Sequence, residues 1–287
     1  AKNAKIIRVD IDQYNLQRNI HENGKDEVKL QAETGAVIDC LAKAAFQEKD
    51  VTGDWLNVCT EIKENLQAVD DNTPERYPNR MIADLSDMLT DTSAIAVDVG
   101  QHMVWSYQSF KNHEGQKLLF SGGHGAMGYG LPGGSGAKIG NPDRPVIVIS
   151  GDGGVQMNIQ ELATAVLEEL PVILCIFNNE YLGMVRQWQK LFYGKRYAMT
   201  NLKAGALSRR TDGQEYPEYT PDFIRLAESY GAKGIRVTEK DQIAAAFEEA
   251  KKNTKTPTII EFIIDPEEMV YPMVKPGGTL ADLIMDC

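Results

Sequence analysis

Two short polar groups in this chain each follow an apolar run. Ser150-Gly151-Asp152-Gly153-Gly154 comes after the run at 146–149, and Asn178-Asn179-Glu180-Tyr181-Leu182-Gly183 comes after PVILCIF at 171–177. A carboxylate and an amide oxygen are hard donors suited to Mg2+, which completes an octahedron with water, a backbone carbonyl and phosphate oxygens. Gly153 and Gly154 leave their amides open at a helix start, a place where phosphate binds. Taken alone, GDGG reads as a tight turn. Two such groups, each at the end of a strand and joined by one strand–helix–strand crossover, favour a ligand site, because ligands bind beyond the carboxyl ends of parallel strands.

Two further loops belong with them. Ser121-Gly122-Gly123-His124-Gly125-Ala126-Met127-Gly128 contains a formal GxGxxG in Gly123, Gly125 and Gly128. A dinucleotide site would also need an acidic residue at a strand end about 20 positions on. Asp143 instead lies in the turn Asn141-Pro142-Asp143-Arg144, so the glycines read as close backbone approach to a ligand. Asp98-Val99-Gly100-Gln101-His102 comes at the end of the strand-like run 94–99. The loops 98–102, 121–127, 152–154 and 179–184 are therefore expected to converge on one edge.

The elements that must hold them follow from periodicity. Strands are expected at 5–12, 94–99, 145–150, 171–177, 234–238 and 257–264. Most are continuously apolar, as parallel strands covered on both faces are. Helices are expected at 34–48, 54–68, 156–169, 221–230 and 239–252, the fourth with Thr220 as cap and Pro221 as its first residue. Alternation of strand and helix predicts an α/β parallel sheet flanked by helices. At roughly 150 residues per domain, 287 residues suggest about two. Asp70-Asp71-Asn72-Thr73-Pro74, with Pro78 close behind, marks a division into 1–74 and 75–287. Ala1 leads almost at once into a strand, which suggests a piece of a longer chain.

Composition narrows the function. A net charge of -11, with no basic group longer than a pair such as Lys195-Arg196 or Arg209-Arg210, excludes a nucleic-acid partner. No run of roughly 20 predominantly apolar residues is present, so no membrane span is expected. Cys40, Cys59, Cys175 and Cys287 are scattered, as are the histidines His21, His102, His113 and His124. That pattern gives no support to a thiolate–histidine metal site and fits a reducing, cytoplasmic location. Cys175 reads as a buried thiol, Glu168-Glu169 as a solvated helix end, and Arg186 and Lys190 as water-facing.

The GDG and NN groups at this separation resemble the thiamine-diphosphate-binding motif. Val99-Gly100-Gln101-His102 with Trp105, Gly125-Ala126-Met127-Gly128, Met157-Asn158-Ile159-Gln160-Glu161-Leu162, Gly183-Met184-Val185 with Gln187-Trp188, and Pro272-Met273 with Gly277-Gly278-Thr279 resemble the catalytic subunit of acetohydroxyacid (acetolactate) synthases. The resemblance covers nearly the whole chain. Residues 1–30 look like the end of that family's central domain, and residues from about 75 like its C-terminal, pyrophosphate-binding domain.

The resemblance implies roles residue by residue. Asp152, Asn179 and the Tyr181 carbonyl would hold Mg2+. Gly100, Gln101, His102, Gly125, Gly153, Gly154 and Gly183 would border thiamine diphosphate. Met127 would support the bent cofactor, so that its amino group deprotonates the reactive carbon intramolecularly. Met184 and Trp188 would line the pocket for the second 2-keto acid, Trp188 favouring 2-ketobutyrate over pyruvate by about 1–3 kcal/mol per methylene.

It also implies pyruvate decarboxylation with carboligation to acetolactate or acetohydroxybutyrate in branched-chain amino acid biosynthesis, a homodimer or tetramer, and a possible regulatory subunit. FAD is implied through Asp10 and Ile11, although Gly24-Lys25-Asp26-Glu27 departs from the pattern. The family's proton-donating glutamate has no counterpart here, so this chain alone is expected to be inactive. The stretch 203–219 reads as an insertion. Two alternatives stay open: another thiamine-diphosphate-dependent decarboxylase or carboligase, and a non-catalytic cofactor-binding module.

Overall fold

The structure, a computed structural model, describes residues 5–18, 27–44, 53–65, 78–90, 92–202 and 221–285. The chain forms two compact units, Ala1–Asn65 and Leu66–Cys287. The division expected after residue 74 falls in 66–77, outside the described residues, as do His21, Gly24 to Asp26 and the 203–219 stretch.

In the first unit, strand β1 (Ile6–Asp10) is followed by helix α1 (Gln13–Gln17), strand β2 (Glu27–Gln31), and helices α2 (Thr34–Lys43) and α3 (Trp55–Asn65). β1 and β2 pair in parallel, with Ile6 opposite Glu27. Arg8 reaches across that pair to Glu27 at 2.9 Å. Asp12 caps α1 by accepting the Tyr14 N–H.

The second unit begins with α4 (Pro78–Asp87), β3 (Ala94–Val97), α5 (Gln101–Ser109), β4 (Lys117–Phe120), α6 (Gly130–Gly140), β5 (Val146–Gly151) and the short α7 (Asp152–Val155). It continues with α8 (Glu161–Leu167), β6 (Val172–Asn178), α9 (Gly183–Phe192), α10 (Phe223–Tyr230), β7 (Lys233–Val237), α11 (Gln242–Lys251) and β8 (Thr258–Ile263), and ends in a short β9–β10 pair (Met273–Val274 and Leu283–Ile284).

Its sheet has six strands in the order β4-β3-β5-β6-β8-β7, all parallel. β3, β5 and β6 are buried along their whole length, as continuous apolar runs covered on both faces require. One face packs under α4, α5 and α11, through Met81, Ile82, Trp105, Ile243 and Phe247. The other packs under α6, α8 and α10, through Leu131, Leu162 and Phe223. The chain leaves β3 toward the first face and β5 toward the second. Their carboxyl ends therefore open a crevice at a topological switch point.

Some expectations shift. Of the helix expected at 156–169 only α8 (Glu161–Leu167) is helical, the short α7 lying before that range, and Leu167 is 80% exposed. Starting the turn count at Glu161 sends Leu162 and Ala165 inward and swings Leu167 outward. Helix α10 is capped by Asp222, whose carboxylate accepts from the Ile224 and Arg225 N–H groups, so Pro221 precedes the helix rather than opening it. Glu168 and Glu169 are exposed and Cys175 is buried, its thiol pushed up to about 12 by burial.

Leu174 is fully buried in β6 and belongs to the second-face core. Leu174→Ala is expected to cost about 3 kcal/mol. Urea denaturation checks this, and a loss well under 1 kcal/mol would contradict the two-sided burial.

Candidate functional site

A cleft of about 280 Å3 occupies the crevice. It is lined from β3 by Val99, Gly100, Gln101 and His102, from the glycine-rich loop by Gly125 and Met127, from β5 by Gly151 to Gly154, and from β6 by Asn179 and Tyr181 to Val185. All four expected loops therefore meet.

Asp98 joins three of them. It is fully buried. Its Oδ1 accepts from the Val99 and Gly128 N–H groups, both at 2.8 Å, and its Oδ2 accepts from the Ser150 hydroxyl at 2.8 Å. A β-carbon on Gly154 would come 2.7 Å from Asp98 Oδ2, so packing alone requires glycine there.

Asp152 carries the main electrostatic feature. Its Oδ1 accepts from the Gly153 N–H at 2.8 Å, so that amide is engaged rather than open as the motif alone suggests. Its Oδ2 is buried with no partner. Burial raises its pKa from 3.8 to about 7, against the pull of backbone N–H groups from Gly153, Glu180, Tyr181 and Asn179. Asn179 and Tyr181 of the 179–181 loop line the same cleft as Asp152.

That loop is held in turn. Asn179 Oδ1 accepts from the Tyr181 N–H at 3.1 Å, and Asn178 Oδ1 from the Glu180 N–H at 3.0 Å. Asn178 Nδ2 donates to the buried Glu261 at 2.7 Å, and Glu261 also accepts from Arg236 at 2.7 Å. Tyr181 bridges to Asn201, but the bonds run through Leu182 N–H to Thr200 and Leu202 N–H to Glu180, leaving the Tyr181 carbonyl outside them.

The remaining predicted residues fall as follows. His102 is 5% exposed and its Nε2 has no partner. Burial lowers its pKa from 6.5 to about 4, opposed by the Asp98 charge and a backbone hydrogen bond to Asp98. It packs on glycine backbone: a β-carbon on Gly100 would come 2.7 Å from its Cε1, and one on Gly151 3.0 Å from its Nδ1. Gln101 is engaged with Asn179, Gln187 and the Glu268 carbonyl. Gly125 has a φ of 73°. Met127 stands at the cleft wall, 3.8 Å from where a Gly153 β-carbon would lie.

Met184 lines this cleft and the adjoining cavity, whereas Trp188 lines only the adjoining one, with Tyr193 and Tyr197. Trp188 meets Phe192 edge-on at 6.1 Å. Arg186 and Lys190 do not simply face water. Arg186 is buried, pairs with Glu267, and stacks over Tyr181 and Tyr197 at 4.9 and 4.6 Å, while Lys190 donates to Glu267 at 2.9 Å. His113 and His124 are exposed. The anchoring roles of Asp98 and Glu261 escape a sequence reading, although a lone glutamate inside TIIEFI is the kind of interruption that marks one.

With this geometry, the comparisons fall into place. Residues 98–262 match the family described as "Thiamine pyrophosphate enzyme, C-terminal TPP binding domain", and the chain belongs to that family. It is 36% identical, over 99% of its length, to a protein named probable acetolactate synthase large subunit from Methanocaldococcus jannaschii, of which it covers 46%. It is 33% identical over 99% of its length to acetolactate synthase isozyme 2 large subunit of Escherichia coli, covering 47%. It is 35% identical over 100% of its length to acetolactate synthase 1, chloroplastic, of Nicotiana tabacum, covering 42%. The chain thus spans about half the length of the curated relatives it matches. Among the described residues no helix is long and apolar enough to cross a membrane.

The buried imidazole gives a pH prediction. Folded His102 resists protonation until about pH 4 and unfolded histidine takes its proton near 6.5. Its contribution to stability is therefore present above pH 6.5 and lost as pH falls toward 4, by about 3 kcal/mol. Asp152, raised in the folded state, acts with the opposite sign between pH 4 and 7. The test is therefore the difference between the unmodified chain and His102→Gln in urea midpoints across pH 4 to 7. A difference that stays flat over that range would contradict the burial argument.

Proposed function

We propose that this chain is the cofactor-binding half of an acetolactate synthase large subunit, which decarboxylates pyruvate and joins the two-carbon unit to pyruvate or 2-ketobutyrate. The observation that carries the reading is the unpartnered, buried Asp152 Oδ2 in a cleft shared with the Asn179 loop. A buried carboxylate oxygen without a donor costs several kcal/mol unless a cation completes it. The relatives' names supply the reaction.

The donor set fits Mg2+, with Asp152, Asn179 and the Tyr181 carbonyl as hard oxygen ligands. Gly100, Gln101, His102, Gly125, Gly153, Gly154 and Gly183 border the diphosphate. When bound, thiamine diphosphate supplies the electron sink that lets a 2-keto acid lose CO2. The chain's own residues do the rest. Gly125 and Gly153 let the backbone come close to the cofactor. His102 stays neutral and would border the diphosphate without adding charge. Met127 supports the cofactor from the cleft wall, and Met184 and Trp188 exclude water and seat the second keto acid.

Asp152 is the acidic side chain among the described cleft residues, and the cation takes it up, so a general acid has to come from another domain or subunit. FAD belongs to this reading only through the longer protein. Here the Asp10 carboxylate accepts from the Asp12 N–H, and no step is routed through a flavin. A self-associating large subunit with a regulatory partner in a reducing, cytoplasmic compartment completes the proposal.

Thiamine diphosphate with Mg2+ is expected to raise the melting temperature, equivalent to about 2.7 kcal/mol at a hundredfold excess over Kd. Asp152→Ala should abolish the rise, and no Mg2+-dependent rise in the unmodified chain would sink the reading. The chain alone should form no acetolactate from pyruvate, and detectable turnover would contradict the missing acid. In the full-length enzyme, Trp188→Leu should erase a 2-ketobutyrate preference of roughly 10–200-fold, as read by competition between the two keto acids. An unchanged product ratio would remove Trp188 from the acceptor pocket.

A further inference from the structure

Gln187 is 1% exposed, on the α9 turn that also carries Arg186. Its amide grips the backbone of Val270 at both ends. The Val270 N–H donates to Gln187 Oε1 at 2.9 Å, and Gln187 Nε2 donates to the Val270 carbonyl at 2.7 Å. A backbone N–H and C=O cannot exchange roles, so this pair fixes which end of the Gln187 amide is oxygen.

The fixed direction passes on. Gln187 Oε1 also accepts from Gln101 Nε2 at 2.8 Å, and the Glu268 carbonyl accepts from the same nitrogen at 3.1 Å. Both partners are acceptors at those positions, so Gln101 must turn its nitrogen toward them and its oxygen away. That oxygen accepts from Asn179 Nδ2 at 3.3 Å. Asn179 is left with its nitrogen committed and its oxygen on the side of the Tyr181 N–H. Gln101 is 5% and Asn179 6% exposed, so water is poorly placed to stand in for a reversed amide.

We infer that Gln187 is a positioning residue whose amide, fixed by Val270, sets the direction of the Gln187–Gln101–Asn179 relay so that Asn179 offers oxygen rather than nitrogen to the divalent cation. The inference rests on the proposed Mg2+ and thiamine diphosphate reading of the cleft. It extends the site to the segment after β8, where Glu268 and Val270 lie. It also gives Gly183 a second role, because a β-carbon there would overlap Gln101 Oε1 and come 2.6 Å from Asn179 Nδ2, at the joint of the relay.

The test is a double-mutant cycle on the full chain, titrating Mg2+ at fixed thiamine diphosphate and following intrinsic tryptophan fluorescence, since Trp105 lines the cleft. Gln187→Met should raise the Mg2+ concentration for half-maximal change by about tenfold or more. Asn179→Asp carries an oxygen at either end, so the relay's direction no longer matters. In that background Gln187→Met should cost less than about threefold, a non-additivity that general loss of packing does not produce. Equal factors in both backgrounds, or no effect of Gln187→Met, overturn the inference alone. No Mg2+-dependent signal in the unmodified chain overturns the cation reading and the inference together.

Discussion

The Asp152 carboxylate sits at the end of a fully buried strand with one oxygen satisfied and the other without a donor. Left ionised and unpaired, it would be among the costlier groups in the fold, and its pKa of about 7 records that cost. Four backbone amides already lean on it and still leave Oδ2 empty-handed. On the proposed reading, a divalent ion would relieve that cost without adding a protein cation.

The sheet explains why those loops can be shaped so closely. Parallel strands deliver β3, β5 and β6 side by side, and the helices that follow β3 and β5 depart to opposite faces. Hydrogen bonds then tie the loops around the crevice together. Asp98 ties the β3 loop to Gly128 and Ser150. Glu261 steadies the Asn178 turn, and Arg186 clamps α9 to Glu267 while stacking between Tyr181 and Tyr197. Such polar anchors are directional, so they can orient an amide or a carbonyl where an apolar contact cannot.

Legibility from sequence followed the physics of each element. β3, β5, β6 and β8 were readable because burial on both faces writes a continuous apolar run. β4 and β2 were not. β4 is a four-residue edge strand with one exposed and three half-buried residues, and β2 is exposed at most of its residues. Helix α4 is hidden from the sequence although Met81, Ile82 and Leu85 are fully buried, because Pro78 reads as part of a boundary and is the helix's first residue. At the site, Asp152, Asn179 and His102 stand out as polar residues just past strands, and Met127 only through the family resemblance. The second layer of contacts was not, because a buried hydrogen bond between Gln187 and Val270 joins residues with no sequence relation to each other.

The most direct measurement is anomalous diffraction from crystals of the chain grown with Mn2+ in place of Mg2+ and with thiamine diphosphate. The account predicts a single strong peak within bonding distance of Asp152 Oδ2, Asn179 Oδ1 and the Tyr181 carbonyl. A cofactor-bound crystal whose metal peak lies elsewhere, with Asp152 Oδ2 still unpartnered, would contradict it.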